Sequence, residues 1–412
     1  MKFIIMISDG QGSMSATDRG SFGPVSVPSG RRPVIAGLGM TEIGKVFGPR
    51  SIDFAAQAVR LAAADAGLRL ADIDGLLTSA GVTPGPGLAL GRMLGLTGLR
   101  LQSDMQSFGA TAGAMVQYAA MAVMTGMAET VACVFADAPL REGRSAGRAY
   151  DGSRFAPEGW RGLLTASGIG AATTMYALAA QRHMNTYGTT SEQLGHVAVA
   201  QRQWAALNPL AQMRDPITIE DHQASRWVAE PLHLLDCCLV SNGGIAVIVT
   251  SAERAAGLAQ PPVHLLGWAQ AHPGRSRETF GLVSGAATAG PEALAMAGLG
   301  IADVDVAELY DCYTFTVVLT LEDYGFCAKG EGGPFVASGV LGPAGKLALN
   351  TGGGELSGYY LWGMTPLSEA VIQARGQGGD RQADVHDIVL VSGNGGVLDH
   401  HATLVLGTAA AA

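Results

Sequence analysis

The sequence predicts an α/β fold of two duplicated halves with an inserted loop region, and three observations predict it. Ala66-Gly67-Leu68-Arg69-Leu70-Ala71-Asp72-Ile73-Asp74 recurs as Ala297-Gly298-Leu299-Gly300-Ile301-Ala302-Asp303-Val304-Asp305. Each copy follows an Ala/Leu-rich helical stretch and leads into an apolar strand, so one helix, turn and strand unit occurs twice. Strands and helices alternate through both halves, as they do where helices are sandwiched by sheets. Finally, 48% of the 412 residues are hydrophobic and 15% are charged, which suits extensive burial. The cleft between related halves is then the expected ligand site.

Residues 1–31, rich in Gly, Ser and Pro after a short apolar start, read as a mobile leader. The first half is expected over 32–136 and 237–260. Arg32–Gly37 is its first strand, and Ser51–Ala66 a helix with Phe54, Ala55, Ala58, Val59 and Ala62 on one face. Ile73–Thr78 is a second strand and Leu101–Ser107 a third, which delivers the chain into Gly109-Ala110-Thr111 and a long Ala/Met helix ending near Gly126. Thr130–Ala136 is uniformly apolar, like a strand covered on both faces. Over 137–236 the alternation lapses into an inserted loop or lid region, with helices at Ala172–Tyr187 and Ser191–Leu207, the latter capped by Thr190 or Ser191.

The sheet resumes at Gly244–Thr250, and the second half is expected over 261–412. It repeats the plan: a strand from Val263, a helix at Gly290–Ala297, a strand at Val306–Tyr310 and a helix at Thr316–Tyr324. A long helix at Ser357–Arg375 follows. Asp387–Val391 and Ala402–Gly407 read as a strand pair joined through a Gly393–Gly396 turn.

The formal charge of −9 argues against attachment to nucleic acid or anionic membrane, since a polyanion is repelled by the average field. Arg141, Arg144, Arg148, Arg154 and Arg161 lie among Gly, Ser and Pro, and read as a solvated excursion, with contact to an anionic cofactor tail or a partner as the alternative. Cys133, Cys237, Cys238, Cys312 and Cys327 form no CxxC pair, as expected for reduced, buried thiols in a cytoplasmic protein. No stretch reaches transmembrane length without polar interruption, and the opening apolar run is too short for a signal peptide.

The chemistry-bearing blocks lie in the second half: Glu308-Leu309-Tyr310-Asp311-Cys312-Tyr313-Thr314, Leu321-Glu322-Asp323-Tyr324-Gly325-Phe326-Cys327, Asn350-Thr351-Gly352-Gly353, and Leu356-Ser357-Gly358-Tyr359-Tyr360-Leu361-Trp362-Gly363-Met364-Thr365. In that order they resemble the thiolase superfamily, within it the lipid-transfer-protein-like branch related to sterol carrier protein X, and most nearly its steroid side-chain acyl-CoA aldolases. The resemblance spans about Pro33 to Gly407. It implies the thiolase fold, two βαβαβ-type halves in α-β-α-β-α layers.

Departures from a true thiolase direct the functional expectation. Where the nucleophilic cysteine belongs, this chain reads Ser107-Phe108-Gly109-Ala110-Thr111. Tyr310 and Tyr360 stand at the thiolase's proton-handling Asn or His positions, and Ser392 at its last catalytic cysteine. A serine without a base has no comparable nucleophilicity, so the acyl-enzyme route is closed. Enolate stabilisation survives, by backbone N–H groups at Gly109, Asn394 and Gly395. The resemblance implies a lyase that splits a bulky, steroid-like β-hydroxyacyl-CoA by retro-aldol cleavage, with Tyr310 and Tyr360 moving the protons. It also implies a homodimer core paired with a small OB-fold, zinc-ribbon acyl-CoA-binding protein that holds the zinc, no bound cofactor beyond the coenzyme A thioester substrate, and no metal in this chain. The alternatives are an acyltransferase using Ser107, Thr111 or Cys312, and a non-catalytic acyl-CoA or lipid scaffold. Tyr359 competes with Tyr360 if the register slips by one. His400 and His401 beside Asp399 mimic a metal cluster, but adjacent strand residues face opposite ways.

Overall fold

The computed structural model describes residues 31–149, 166–169, 171–274 and 276–411. The leader through residue 30, together with Arg154 and Arg161, lies outside the described residues. The first half comprises β1 (Pro33–Met40), α1 (Ser51–Ala66), β2 (Gly75–Ala80), α2 (Ala89–Met93), β3 (Leu101–Asp104), α3 (Thr111–Thr125) and β4 (Thr130–Asp137). The chain then leaves the sheet for α4 (Ala172–Tyr187), α5 (Ser191–Leu207), α6 (Ile219–Ala224) and a hairpin of β5 (Trp227–Ala229) and β6 (Leu232–His233). It returns as β7 (Gly243–Ser251), followed by α7 (Ala252–Ala255). The second half runs β8 (Val263–Ala271), α8 (Ala286–Ala297), β9 (Val306–Glu308), α9 (Thr314–Tyr324), α10 (Gly332–Ala337), β10 (Ala348–Leu349), α11 (Met364–Ala374), β11 (Ile388–Gly395) and β12 (His400–Gly407).

The duplication is visible in the strand order. The first half reads β3-β2-β4-β7-β1 and the second β10-β9-β11-β12-β8, with the same sequence of parallel and antiparallel pairings. The two sets meet through a short antiparallel contact, Val34 with His264 and Ile35 with Val263, so pairing runs across ten strands. Helix α1 covers β1, β4 and β7, and α8 covers β8 and β12. Helices α3 and α11 touch strands of both halves and each other, and α3 is buried nearly all round, as a helix clasped between sheets must be.

Local hydrogen bonds explain why the repeated segment folds alike twice. Gly67 and Gly298 both end their helices at φ 73°, the left-handed cap that glycine adopts most easily. Asp72 then accepts the Arg69 N–H at 2.9 Å, and Asp303 the Gly300 N–H at 2.8 Å. Asp74 accepts the Thr130 N–H at 2.8 Å where β4 begins, and Asp305 the Ile388 N–H at 2.8 Å where β11 begins. Each repeat thus stops a helix, turns, and fixes the start of a strand. Thr190 caps α5, exchanging bonds with Gln193 at 2.9 and 3.2 Å.

Two expectations need correction. The long helix over Ser357–Arg375 is broken: a π turn at Gly354–Gly358 gives way to extended backbone at Tyr359 (φ −158°), and α11 starts only at Met364. Apolar periodicity misled because Tyr359, Leu361, Trp362 and Met364 are buried without being helical throughout. The expected Gly393–Gly396 turn lies mostly inside β11, and the chain turns over Gly396–Asp399, with Val397 and Leu398 at φ 59° and 70°. The glycines serve close packing instead: a Cβ on Gly395 would lie 2.2 Å from the Ser107 carbonyl oxygen, and one on Gly393 2.7 Å from that of Gly109.

Candidate active site

Strand β9 ends at Glu308, opposite Val391, and the chain leaves the sheet there. Leu309 N–H donates to Asn350 Oδ1 at 2.6 Å and Tyr310 N–H to Ser392 Oγ at 3.0 Å, which aims the Tyr310 ring toward the other half. That ring lies over Gly109, where a Cβ would come within 2.2 Å of its Cε2 and Cζ. Tyr360 arrives from the β10 side, its N–H donating to Ser241 Oγ at 3.0 Å just before β7. The two phenols meet: Tyr310 OH and Tyr360 OH are 3.0 Å apart. Tyr310 is 4% exposed and Tyr360 is half-buried, so the pair reaches outward through Tyr360.

Tyr359 does not compete. Its hydroxyl is 3.0 Å from Ser368 Oγ, inside the fold, and alternation in the extended segment separates it from Tyr360. Burial, then the nearby Glu355, raises Tyr310 well above the usual phenol range, while its hydrogen bond to Tyr360 works the other way.

Gly109 sits in the turn that opens α3, where first-turn N–H groups lack helical acceptors. Asn394 and Gly395 lie in β11 opposite His401 and His400. Because β9 ends opposite Val391, the β9-side edge of β11 has no strand partner beyond that point. The Asn394 amide is buried, and neither its Oδ1 nor its Nδ2 finds a partner among the described residues.

A second duplication emerges here. Phe108 and Trp362 have φ 53° and 51°, each is followed by glycine, and each stands three residues before a threonine. Thr111 Oγ1 accepts the Ser107 N–H at 2.7 Å, and Thr365 Oγ1 accepts the Leu361 N–H at 3.0 Å. The two elbows interlock: a Cβ on Gly363 would lie 2.2 Å from the Gly109 carbonyl oxygen, and the aromatic rings are 5.9 Å apart. Sequence reasoning missed this pair, although Phe108-Gly109-Ala110-Thr111 and Trp362-Gly363-Met364-Thr365 spell one pattern twice.

The candidate nucleophiles are differently employed. Thr111 Oγ1 also donates to the Phe108 carbonyl at 2.6 Å, and burial drives the Cys312 thiol well above its usual range, opposite to what a nucleophile needs. His401 faces α9, its Nε2 2.8 Å from Tyr324 OH, whereas the His400 ring stacks near Phe108 at 6.2 Å. Among the described residues no group of three or more His, Cys, Asp or Glu is placed to hold a metal ion, and no helix is long and apolar enough to cross a membrane.

A paired set of phenols where halves meet, with no thiol at the elbow, invites comparison with known proteins. A steroid side-chain-cleaving aldolase of Thermomonospora curvata is 41% identical over 88% of this chain and 95% of its own length. The chain belongs to the sterol carrier protein 2-type thiolase family. The family described as thiolase C-terminal domain-like matches residues 267–408. The 17-hydroxy-3-oxo-4-pregnene-20-carboxyl-CoA lyase of Mycobacterium tuberculosis is 38% identical over 88% of this chain and 96% of its own. Among solved structures, an Ltp2-ChsH2(DUF35) aldolase superposes with a TM-score of 0.82 at 38% identity, covering 93% of this chain and 99% of that one. The thiolase fold read from the second-half blocks is thus the fold of its relatives.

Proposed function

We propose that this family member is a carbon–carbon lyase that cleaves a bulky, steroid-like β-hydroxyacyl-CoA by retro-aldol chemistry, with Tyr310 and Tyr360 as its proton-transfer groups. The observation that carries this reading is the 3.0 Å contact between the two hydroxyls at an elbow without a thiol. The steroid aldolase and lyase relatives support the substrate class.

The hydrogen-bonded pair suits a relay. One phenol oxygen takes the β-hydroxyl proton while its own proton passes to the other phenol, whose proton goes to carbon. The O–H pair of the substrate becomes the new C=O bond, the Cα–Cβ bond breaks, and its electron pair forms the thioester enolate that is protonated at Cα. One proton leaves the substrate and one returns. Neither phenol need become a phenolate, which matters because burial makes a Tyr310 phenolate unfavourable. The first-turn N–H groups at Gly109 are suited to the enolate oxygen, and one such donor contributes roughly 3 to 4 kcal/mol in other enzymes.

The solved aldolase with a DUF35 partner supports an assembly of this chain with such a partner; the family resemblance adds a homodimer core and gives that partner the form of a small OB-fold protein carrying a zinc ribbon. The test is to combine the chain with such a partner, supply β-hydroxyacyl-CoA esters of several sizes, and follow ketone and shortened CoA ester by mass spectrometry. Equimolar ketone and CoA ester, with no acyl group on the protein, is the expected result. A covalent acyl adduct, or no cleavage of any ester, would overturn it.

A further inference from the structure

Tyr310 and Tyr360 lie 50 positions apart in the chain, so the contact between their hydroxyls depends on how the two segments that carry them are fastened to each other. The Tyr360 segment enters through the π turn Gly354–Gly358, a rare kind of element that is frequent at functional sites. The first N–H groups of such a turn have no acceptor inside it, and Gly353, at the capping position, has no side chain to supply one. Asp311, the residue after Tyr310, supplies it. Its Oδ1 accepts the Glu355 N–H at 2.8 Å, and its Oδ2 accepts the Glu355 N–H at 3.0 Å and the Leu356 N–H at 3.2 Å.

The fit is close. A Cβ on Gly354 would lie 2.2 Å from Asp311 Oδ2, and Gly354 has φ 59°, so glycine there is what lets carboxylate and turn approach. Asp311 is fully buried, and a buried carboxylate is retained only where donors meet it. Here the donors belong to the turn that leads to Tyr360, while the acid itself follows directly on Tyr310.

Backbone ties run beside this link. In the chain before β7, Cys238 N–H donates to the Cys312 carbonyl at 3.1 Å, Leu239 N–H donates to the Glu355 carbonyl at 2.9 Å, and Ser241 Oγ accepts the Tyr360 N–H at 3.0 Å. At the far end of the turn, the Ser357 and Gly358 carbonyls accept the Met213 and Gln212 N–H groups at 3.0 and 2.9 Å. With these ties in place, loss of the Asp311 carboxylate loosens one segment from the other without unthreading either.

We propose that Asp311 is a positioning residue for the retro-aldol reaction: by capping the turn before Tyr360 from the residue after Tyr310, it holds the two hydroxyls at the separation where a proton passes between them. The proposal rests on the retro-aldol reading of the dyad. Asp311→Asn keeps the shape but turns an N–H₂ donor toward N–H groups where an acceptor oxygen stood, so at least one of the three bonds becomes a repulsion.

The experiment uses the full chain with its partner and measures kcat and KM for wild type, Asp311→Asn, Tyr360→Phe and the variant carrying both changes, together with crystal structures of wild type and Asp311→Asn. Asp311→Asn is expected to lower kcat about 10- to 10²-fold with KM unchanged, since a displacement of about 1 Å at a reacting group has an effect of that order. In the Tyr360→Phe background the same substitution costs nothing further, because no second hydroxyl remains to be aligned. The Asp311→Asn structure shows the two hydroxyls moved apart from their wild-type contact. A role confined to folding lowers the active fraction by the same factor in both backgrounds. That result, wild-type kcat in Asp311→Asn, or unmoved hydroxyls in its structure overturns the inference while leaving the dyad intact. Where Tyr360→Phe turns over too slowly to measure, the hydroxyl positions decide. If Asp311→Asn does not fold, Asp311→Ser, which keeps one acceptor oxygen, enters the same comparison. Full turnover in Tyr360→Phe overturns the retro-aldol site and this inference together.

Discussion

Replacing Gly109 by alanine puts a methyl group where the dyad is packed. Its Cβ would lie 2.2 Å from Cε2 and Cζ of Tyr310 and 2.3 Å from the carbonyl oxygen of Asn394. Carbon contacts settle near 3.5 to 4.0 Å, so about 1.3 Å or more must be taken up by displacement. Asn394 belongs to a paired strand, so the Tyr310 ring is the part that yields, and its hydroxyl then leaves Tyr360. Overpacking of this kind destabilises by about 1 to 3 kcal/mol. A misplacement of about 1 Å at a reacting group lowers the rate roughly 10²-fold. Gly109→Ala is therefore expected to fold, to melt a few degrees lower, and to lose most of its turnover of a β-hydroxyacyl-CoA. Gly98→Ala is the control, because a Cβ there meets nothing within 4 Å. Thermal melts and chromatographic release of the shortened CoA ester provide the two readings. Turnover in Gly109→Ala indistinguishable from wild type would refute the packing argument.

Three further outcomes are expected. Thr111→Val and Thr365→Val each leave an N–H without its acceptor, part-buried at Ser107 and buried at Leu361, and each should destabilise by about 1 to 3 kcal/mol in urea unfolding, Thr365→Val the more; unchanged midpoints would count against the duplicated elbows. His401 is held neutral by burial with its pKa lowered to about 3, below the roughly 6.5 of an unfolded histidine. Its contribution to stability is complete above about pH 6.5 and is lost toward pH 3 by about 1.4 kcal/mol per unit, so the wild-type minus His401→Gln difference in unfolding free energy should shrink on acidification and stay flat above neutrality. Thiol alkylation at neutral pH should leave turnover intact, since burial pushes Cys237 and Cys327 up to about 12 and also raises Cys133, Cys238 and Cys312 well above the ordinary thiol range; inactivation in step with labelling of Cys312 would revive an acyl-enzyme.

The duplicated architecture was readable because one repeated segment carries its own instructions: a capping glycine, then an aspartate that closes the next turn, then an aspartate that pins the following strand. Helices at Ser51–Ala66, Ala172–Tyr187 and Ser191–Leu207 were readable to the residue from periodicity and caps. The stretch around Tyr360 was not, because side chains buried on every side erase the difference between a helix and a folded-back loop. Glycines at 393 and 395 looked like turn residues, while their use is to let the α3 elbow approach, a tertiary fact that spacing does not encode. The tyrosines themselves came from family resemblance, and their meeting at one hydrogen bond depends on Gly109 and Ser241 from the other half.

The most direct test of the account is a double-mutant cycle on the dyad, measuring kcat for Tyr310→Phe, Tyr360→Phe and the double variant in the assembled complex. A relay fails when either oxygen is missing, so each single variant should lose roughly 10²- to 10⁴-fold, and the double should be no worse than the weaker single. Losses that multiply across the two positions, or wild-type rates in either single variant, would contradict a shared proton path.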